Sequence, residues 1–222
     1  MQARAHNNKA QEQAVDLYTY YRSTSSYRVR IALAFKGLDY NALPVNLLKH
    51  EHLQPGYQAV NRQCRVPVLR ADSGHVLVQS PAILEYLEER YPAPPLLPID
   101  ALARARHRSV AAIIGCDIHP LHNVAVLQRL RELGIEEPQV SAWIDHWIRQ
   151  GLGAVEALIG EHGWCFGEPG LADVYLLPQV YAARRFAVGL EGWPRIARVE
   201  ALARAHPAFL SAHPERQPDT PA

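Results

Sequence analysis

The chain has 222 residues, of which 48% are hydrophobic and 20% are charged, and its formal net charge at pH 7 is +1. This composition is typical of a globular protein and excludes a fibrous, collagen-like or disordered chain. The balanced charge argues against a nucleic-acid partner or an anionic membrane surface, and we find no apolar run of about 18 residues that predicts a membrane span.

The amino-terminal end is polar and aperiodic. We interpret residues 1–15 as a disordered extension, and not as a secretory signal, because they lack the apolar segment that a signal needs. An aromatic strand is predicted over residues 17–21. Four consecutive hydroxyl residues at 23–26 then supply candidates for the N-cap of a helix that ends at Gly37.

Short strands continue through the first hundred residues. They are predicted at residues 40–45, 66–69 and 76–78, whereas residues 50–60 are interpreted as irregular. The next helix ends at Arg90, and its start has Ser80 in the N-cap position and Pro81 in the first helical position. This alternation predicts an α/β domain over residues 16–97.

Strand signals disappear after residue 97, and apolar residues recur at helical spacing. The predicted helices lie at residues 101–133 (kinked at Pro120), 140–159, 171–188 and 195–205. We therefore expect an all-helical domain over residues 98–210. The last residues, 211–222, are polar and proline-rich, which predicts an extended tail.

The cysteines Cys64, Cys116 and Cys165 are far apart and lack the spacing of metal ligands. We therefore expect neither a disulfide nor a metal site, and a reducing, cytoplasmic location. Arg28 and Arg30, on the first helix, are expected to be solvent or interface charges.

Three features of the α/β region are typical of ligand binding. The hydroxyl cluster at 23–26 combines with a helix N-terminus, which can hold an anion or a thiolate; N-capping alone is the alternative. The Val66–Pro67 bond, if cis, turns the Val66 backbone groups outwards to a peptide-like ligand. The alternative is that Pro67 is an ordinary proline in a turn. Ser80 and Gln79 lie at a second helix N-terminus, where a carboxylate could bind; capping alone is again the alternative.

The segment Tyr21-Arg-Ser-Thr-Ser-Ser-Tyr-Arg-Val-Arg-Ile-Ala-Leu33 and the segment from Gln79 to Pro92 resemble the zeta class of the cytosolic glutathione transferases. The resemblance covers nearly everything from Asp16 onward, including Ile118-His-Pro-Leu-His-Asn123. It implies a thioredoxin-like glutathione-binding domain followed by an all-α substrate domain. It also implies a homodimer, glutathione as the cofactor and a small dicarboxylate substrate.

The resemblance assigns expected roles to individual residues. Ser23 and Thr24 would hold the glutathione sulfur, and Ser25 stands where the family has a cysteine. Val66 would pair with the cysteinyl backbone of glutathione. The other expected glutathione contacts are His52 at the glycine end, Gln79 and Ser80 at the γ-glutamyl carboxylate, and His119 and Asn123 in the helical domain. The expected anchors for the substrate carboxylates are Arg22 and Arg185.

The zeta class includes maleylacetoacetate isomerases and maleylpyruvate isomerases. The resemblance implies a cis–trans isomerase that converts maleylacetoacetate to fumarylacetoacetate by reversible addition of a thiolate to the double bond. Val124 and Ala125 stand where maleylpyruvate isomerases of this family carry arginines, which favours maleylacetoacetate as the substrate. The alternatives are a maleylpyruvate isomerase, a glutathione transferase acting on small electrophiles or halo-acids, and a non-catalytic binding module.

Overall fold

The computed structural model describes residues 15–221. Its single sheet has the order β2-β1-β3-β4, with β2 parallel to β1 and the remaining pairs antiparallel. The parallel pair requires a crossover, which the first helix provides. The strands are β1 (Val15–Thr19), β2 (Tyr40–Pro44), β3 (Val68–Arg70) and β4 (Val76–Val78).

Three helices accompany the sheet, and in the described residues the chain after β4 has no further strand, only isolated bridges at 163–168. The helices of the α/β part are α1 (Thr24–Phe35), α2 (Pro55–Val60) and α3 (Ser80–Arg90). The later helices are α4 (Ala101–Ala112), α5 (Val124–Glu132), α6 (Glu137–Leu158), α7 (Leu171–Arg185), α8 (Pro194–Ala203) and α9 (Pro207–Ala212). The predicted fold class, a thioredoxin-like part followed by an all-α part, is confirmed.

The hydrophobic core runs without a break from the sheet into the helical part. Helix α1 contacts α3 of the α/β part and both α7 and α9 of the helical part. A second, smaller cluster of buried residues joins the loop after β1 to the loop before β3: Tyr20, Val45, Tyr57, Val66 and Val68. This smaller cluster positions the segment around Val66 against the start of α1.

Several sequence-based boundaries differ from the structure. Residues 50–60 are not irregular, because they form a 3₁₀ turn at Glu51–Leu53 and helix α2. Pro55 stands at the first helical position, where its missing N–H is no loss, so it begins this helix instead of preventing one. The interpretation of residues 1–15 lies outside the described residues, except that Val15 belongs to β1.

The predicted helix over residues 101–133 is interrupted. A π-helical segment, Ile113–Ile118, and a 3₁₀ turn, His119–His122, separate α4 from α5. By length and composition alone, the stretch Ala101–Glu132 is long and apolar enough to cross a membrane, with a mean hydropathy of 1.5. The sequence analysis expected no such stretch. Core helices can be equally long and apolar, and the core residues Val110, Ile114 and Ile118 of this stretch are fully buried.

The carboxyl-terminal residues are not an extended tail. They complete α9, form a 3₁₀ turn at Pro214–Arg216, and bury Gln217. The Asp219 carboxylate accepts a hydrogen bond from the Tyr21 backbone N–H at 2.8 Å. The segment therefore packs on the loop between β1 and α1, which proline-rich composition alone does not reveal.

The first alternative for Arg28 and Arg30, exposure to solvent, is wrong, since these residues are only 2% and 0% exposed. The Arg30 guanidinium donates to the carbonyl oxygens of Tyr20 and Tyr21 at 3.2 and 2.8 Å and to that of Ala212 at 3.1 Å. Arg30 thus fastens the loop before α1 to the end of α9.

Candidate active site

The start of α1 carries a chain of hydroxyl groups. Ser23 is the N-cap, and its Oγ accepts a hydrogen bond from the Ser26 N–H at 3.3 Å. The Ser25 hydroxyl donates to the Val66 carbonyl at 3.0 Å, and its oxygen lies 3.1 Å from Ser23 Oγ. Since Ser25 has one proton and gives it to Val66, Ser23 is the donor in the Ser23–Ser25 contact. N-capping therefore occurs, but it leaves the Ser23 proton free to be redirected to a ligand.

The loop before β3 presents the Val66 backbone. The Val66–Pro67 bond is cis, and in residues 15–221 the Val66 N–H has no hydrogen-bond acceptor. The Tyr57 hydroxyl and the Asn61 amide donate to the Arg65 carbonyl at 2.6 and 2.8 Å, which holds the approach to Val66. The Val66 N–H is thus an unpaired donor on a fixed loop.

The turn before α3 presents a second group of hydrogen-bond donors to a ligand. Gln79 has φ 72° and ψ 116°, an uncommon backbone conformation for a residue with a side chain. Its amide donates to Gln63 at 2.6 Å. Ser80 is 3% exposed, and its Oγ accepts a hydrogen bond from Arg28 at 3.4 Å. No described group accepts from the N–H of Ser80 or Ala82, so the first turn of α3 presents free donors.

Two arginines at the edge of the cleft carry like charges close together. The Arg185 guanidinium lies 4.4 Å from the centroid of the Phe186 ring, and that of Arg22 lies 5.9 Å from the centroid of Tyr20. The Arg185 side chain is exposed to solvent at its surface, but surrounding protein removes part of its hydration. This partial desolvation is the larger cause of its lowered pKa, and the positive charge of Arg22 is the second. Neither forms an ion pair with a carboxylate in the described part of the chain, so the pair is suited to a dianion.

The two histidines of the 3₁₀ turn stay neutral at pH 7. Desolvation and the charge of Arg28 hold the pKa of His119 well below its usual range. Burial lowers the pKa of His122 to about 4, and its ring nitrogen contacts the Gln179 amide at 3.0 Å. A neutral His119 can donate one hydrogen bond without adding charge to a cationic cleft.

The remaining predicted site residues are less engaged with the rest of the site. The hydroxyl of the buried Thr24 has no recorded hydrogen bond in the described chain, and the side chain of Asn123 caps α5 by accepting from the Ala125 N–H at 3.2 Å. His52 Nδ1 is buried and has no partner among the residues that the structure describes, and burial lowers the pKa of this ring. The Asn123 amide and the His52 ring remain able to bind a ligand.

Sequence reasoning missed Arg28 as a member of this site. It lies beneath Ser80 and 4.5 Å from the centroid of the Tyr175 ring. No local signal in the sequence revealed it, because the continuous burial of α1 from Ser26 to Leu33 arises from the tertiary packing of this helix.

Comparison with known proteins agrees with this geometry. Residues 17–95 match the family model for the glutathione S-transferase N-terminal domain. A sheet of this topology with a cis-proline loop and two helix N-termini beside it, followed by a helical part, defines a glutathione S-transferase. Over 209 residues the chain is 68% identical to a maleylacetoacetate isomerase from Pseudomonas aeruginosa, with 93% of this chain and 99% of that protein covered. The chain belongs to the zeta class of this family.

Two solved structures extend the comparison. One, a holo maleyl pyruvate isomerase described as a bacterial zeta-class glutathione S-transferase, has a TM-score of 0.89 at 47% identity and covers 93% of this chain and 100% of its own. The other is a maleylacetoacetate isomerase from Anaeromyxobacter dehalogenans with dicarboxyethyl glutathione and citrate in its active site. It has a TM-score of 0.85 at 43% identity and covers 94% of each chain.

Glutathione fits the polar groups that this chain leaves without partners. The Val66 N–H is a donor for an extended peptide, the first turn of α3 offers donors for a carboxylate, and His52 Nδ1 is a buried orphan. A tripeptide with two carboxylates and a central amide backbone supplies acceptors for all three. No cluster of three metal-ligating side chains occurs in residues 15–221.

Proposed function

We propose that this protein is a glutathione-dependent isomerase that converts maleylacetoacetate to fumarylacetoacetate. The observation that carries the proposal is the cationic pair of Arg22 and Arg185, which has no carboxylate partner in residues 15–221; Arg22 directly precedes Ser23 in the chain. A cleft with two free guanidinium groups selects a small dianion over an apolar electrophile.

Each part of the proposed site has a distinct task. Bound glutathione supplies a thiolate that adds reversibly to the conjugated cis double bond and so permits rotation about it. The Ser23 hydroxyl donates a hydrogen bond to the thiolate, and the N-terminus of α1 adds a favourable dipole. Val66 pairs with the cysteinyl backbone, and Ser80 binds the γ-glutamyl carboxylate. Arg22 and Arg185 hold the two ends of the substrate.

We also propose an assignment of regions and assembly. Residues 16–97 form the glutathione-binding domain and residues 98–210 the substrate domain of a cytoplasmic homodimer. Apolar side chains that remain open at the start of α4 support an interface there, since Ile99 is 100% and Leu102 72% exposed. Sedimentation of the wild type and of an Ile99→Asp/Leu102→Asp variant tests this. A wild type that sediments as a monomer contradicts it.

The substrate assignment is tested by comparing kcat/KM for maleylacetoacetate and maleylpyruvate at one glutathione concentration. We expect the wild type to prefer maleylacetoacetate, because Val124 and Ala125 supply no charge for the nearer second carboxylate of maleylpyruvate. A Val124→Arg/Ala125→Arg variant should shift the preference towards maleylpyruvate by roughly one to three powers of ten. The matched control is Val124→Gln/Ala125→Gln, which changes the same exposed first turn without adding charge. A wild type without preference contradicts the substrate assignment.

A transferase activity on small electrophiles or halo-acids is the second candidate. A cavity of about 490 Å³ supports it, since its lining joins Arg185 to the apolar surfaces of Tyr181 and Phe209. Isomerisation regenerates glutathione, whereas conjugation consumes it in proportion to product. Measurement of free thiol during turnover therefore separates the two activities, and stoichiometric thiol loss with the natural substrate would exclude the isomerase.

A further inference from the structure

Arg28 is a buried cation for which the described chain provides no anionic partner. It is 2% exposed, and its Nη1 donates to Ser80 Oγ at 3.4 Å. Its Nε and Nη2 atoms are buried and have no hydrogen-bond partner within residues 15–221. The other close contact is the Tyr175 ring, whose centroid lies 4.5 Å from the guanidinium carbon.

This arrangement is costly for the protein alone. A guanidinium removed from water without a carboxylate loses hydration that neutral contacts recover only in part. Burial lowers the pKa of Arg28 to about 10, which still leaves it charged at pH 7. A buried Arg28 guanidinium that stays charged is explained if an anionic ligand binds close enough to offset its charge.

The surroundings of Ser80 indicate where that anion binds. Because Ser80 Oγ accepts from Arg28, its own proton is directed to another acceptor. The Ser80 and Ala82 N–H groups point out of the first turn of α3, an 11-residue helix, and lack acceptors in the described chain. The flanking Gln79 and Pro81 are exposed, so this turn is open to a ligand. Hydroxyl, amide and dipole all favour a carboxylate.

We infer that Arg28 is a positioning residue for the γ-glutamyl α-carboxylate of glutathione. It fixes the Ser80 hydroxyl as a donor to that carboxylate and supplies the buried positive charge that offsets it. The inference rests on the proposed glutathione dependence, and it adds a group that the sequence-based site did not include.

The test compares glutathione with γ-aminobutyryl-cysteinylglycine, which lacks only this carboxylate. Binding of each is measured by calorimetry, or by inhibition if affinity is low, to the wild type and to Arg28→Met. We expect the variant to bind glutathione roughly 10- to 100-fold more weakly, while affinity for the analogue changes by about twofold or less. Arg28→Lys should recover part of the selectivity for glutathione, because it restores the charge without the fork.

A merely structural role predicts a different pattern, in which Arg28→Met weakens both compounds by the same factor. That result would overturn the inference. Tyr175→Leu is the matched control, since it removes the ring contact but keeps the charge. It should lower the melting temperature without changing the ratio of the two affinities.

If Arg28→Met does not fold, Arg28→Gln takes its place, because glutamine keeps a donor near Ser80 but lacks the charge. The ratio of the affinities for glutathione and for the analogue then tests the inference in the same way. A folded wild type that binds neither compound contradicts the proposed function itself, a result distinct from equal losses in the variant.

Discussion

Replacing Ser23 with alanine removes two interactions that can be measured separately. The first is the N-cap of α1, whose hydrogen bond of 3.3 Å lies at the long end of the usual range. We therefore expect the free energy of unfolding to fall by about 1 kcal/mol, and not by the 2 kcal/mol of the strongest caps. The second is the proton that Ser23 directs to a bound thiolate.

The size of the second effect follows from the hydroxyl chain. In the structure the Ser23 proton is committed to Ser25 Oγ, 3.1 Å away. Donation to a thiolate exchanges this neutral hydrogen bond, of roughly 1 kcal/mol, for a charge-assisted one of roughly 2 kcal/mol or more. The net gain of about 1 kcal/mol corresponds to a decrease of about 0.7 in the pKa of the bound thiol. Ser23→Ala should reverse this decrease, so kcat/KM at neutral pH should fall by roughly fivefold.

The assay is the ultraviolet absorbance of the glutathione thiolate, titrated with pH on wild type and variants. Ser25→Ala is the matched control, because it removes the acceptor of Ser23 while keeping the cap. In this variant the Ser23 proton is free, so the pKa of the bound thiol should stay unchanged or decrease. If Ser25→Ala raises the pKa as much as Ser23→Ala, or if Ser23→Ala leaves it unchanged, the reasoning is refuted.

Three other predictions concern stability and the cysteines. Since burial lowers the pKa of His122 from 6.5 to about 4, the unfolded chain binds a proton in this range that the folded chain does not. The free energy of unfolding should therefore fall, by at most about 3 kcal/mol, as the pH decreases from 6.5 to 4; urea titrations of His122→Gln should show a flatter profile. Asp219→Ala should lower the melting temperature and raise KM for glutathione, because the Tyr21 N–H loses its acceptor; an unchanged KM argues against a role in the site. A Cys64→Ser/Cys116→Ser variant should retain its isomerase activity, and a folded but inactive variant would show that a protein thiol takes part.

Local sequence signals predicted the starts of the two helices that build the site. Ser23 is the N-cap of α1, as one of the candidates in the hydroxyl cluster. Ser80-Pro81 marks the start of α3, but the prediction of Ser80 as its N-cap was wrong, because Gln79 is the N-cap and Ser80 is already the first helical residue. The interruption between α4 and α5 has only one local marker, Pro120. The π-helical segment ahead of it contains no proline, so the predicted single helix was wrong there.

Contacts between distant segments were beyond local reasoning. Ser25 meets Val66 across 41 positions, and Arg28 meets Ser80 across 52. An arginine among apolar residues reads as a surface charge unless both faces of its helix are known to be covered. The coverage of α1 by α3, α7 and α9 is a property of the tertiary fold. The Ser23–Ser25–Val66 chain therefore needed the structure.

The contact between Tyr21 and Asp219 spans 198 positions and has a consequence for how the protein is made. Synthesis proceeds from the amino terminus, and early segments can begin to fold while later ones are still being added. The sheet can pair at that stage, but the loop that carries Ser23 receives the Asp219 carboxylate only when translation is nearly finished. The same holds for Arg30, which bonds the carbonyls of this loop and donates to the Ala212 carbonyl. A message cut short before these codons yields a chain that keeps Ser23, Val66 and Ser80 in its sequence but lacks the contacts that hold the Ser23 loop in place.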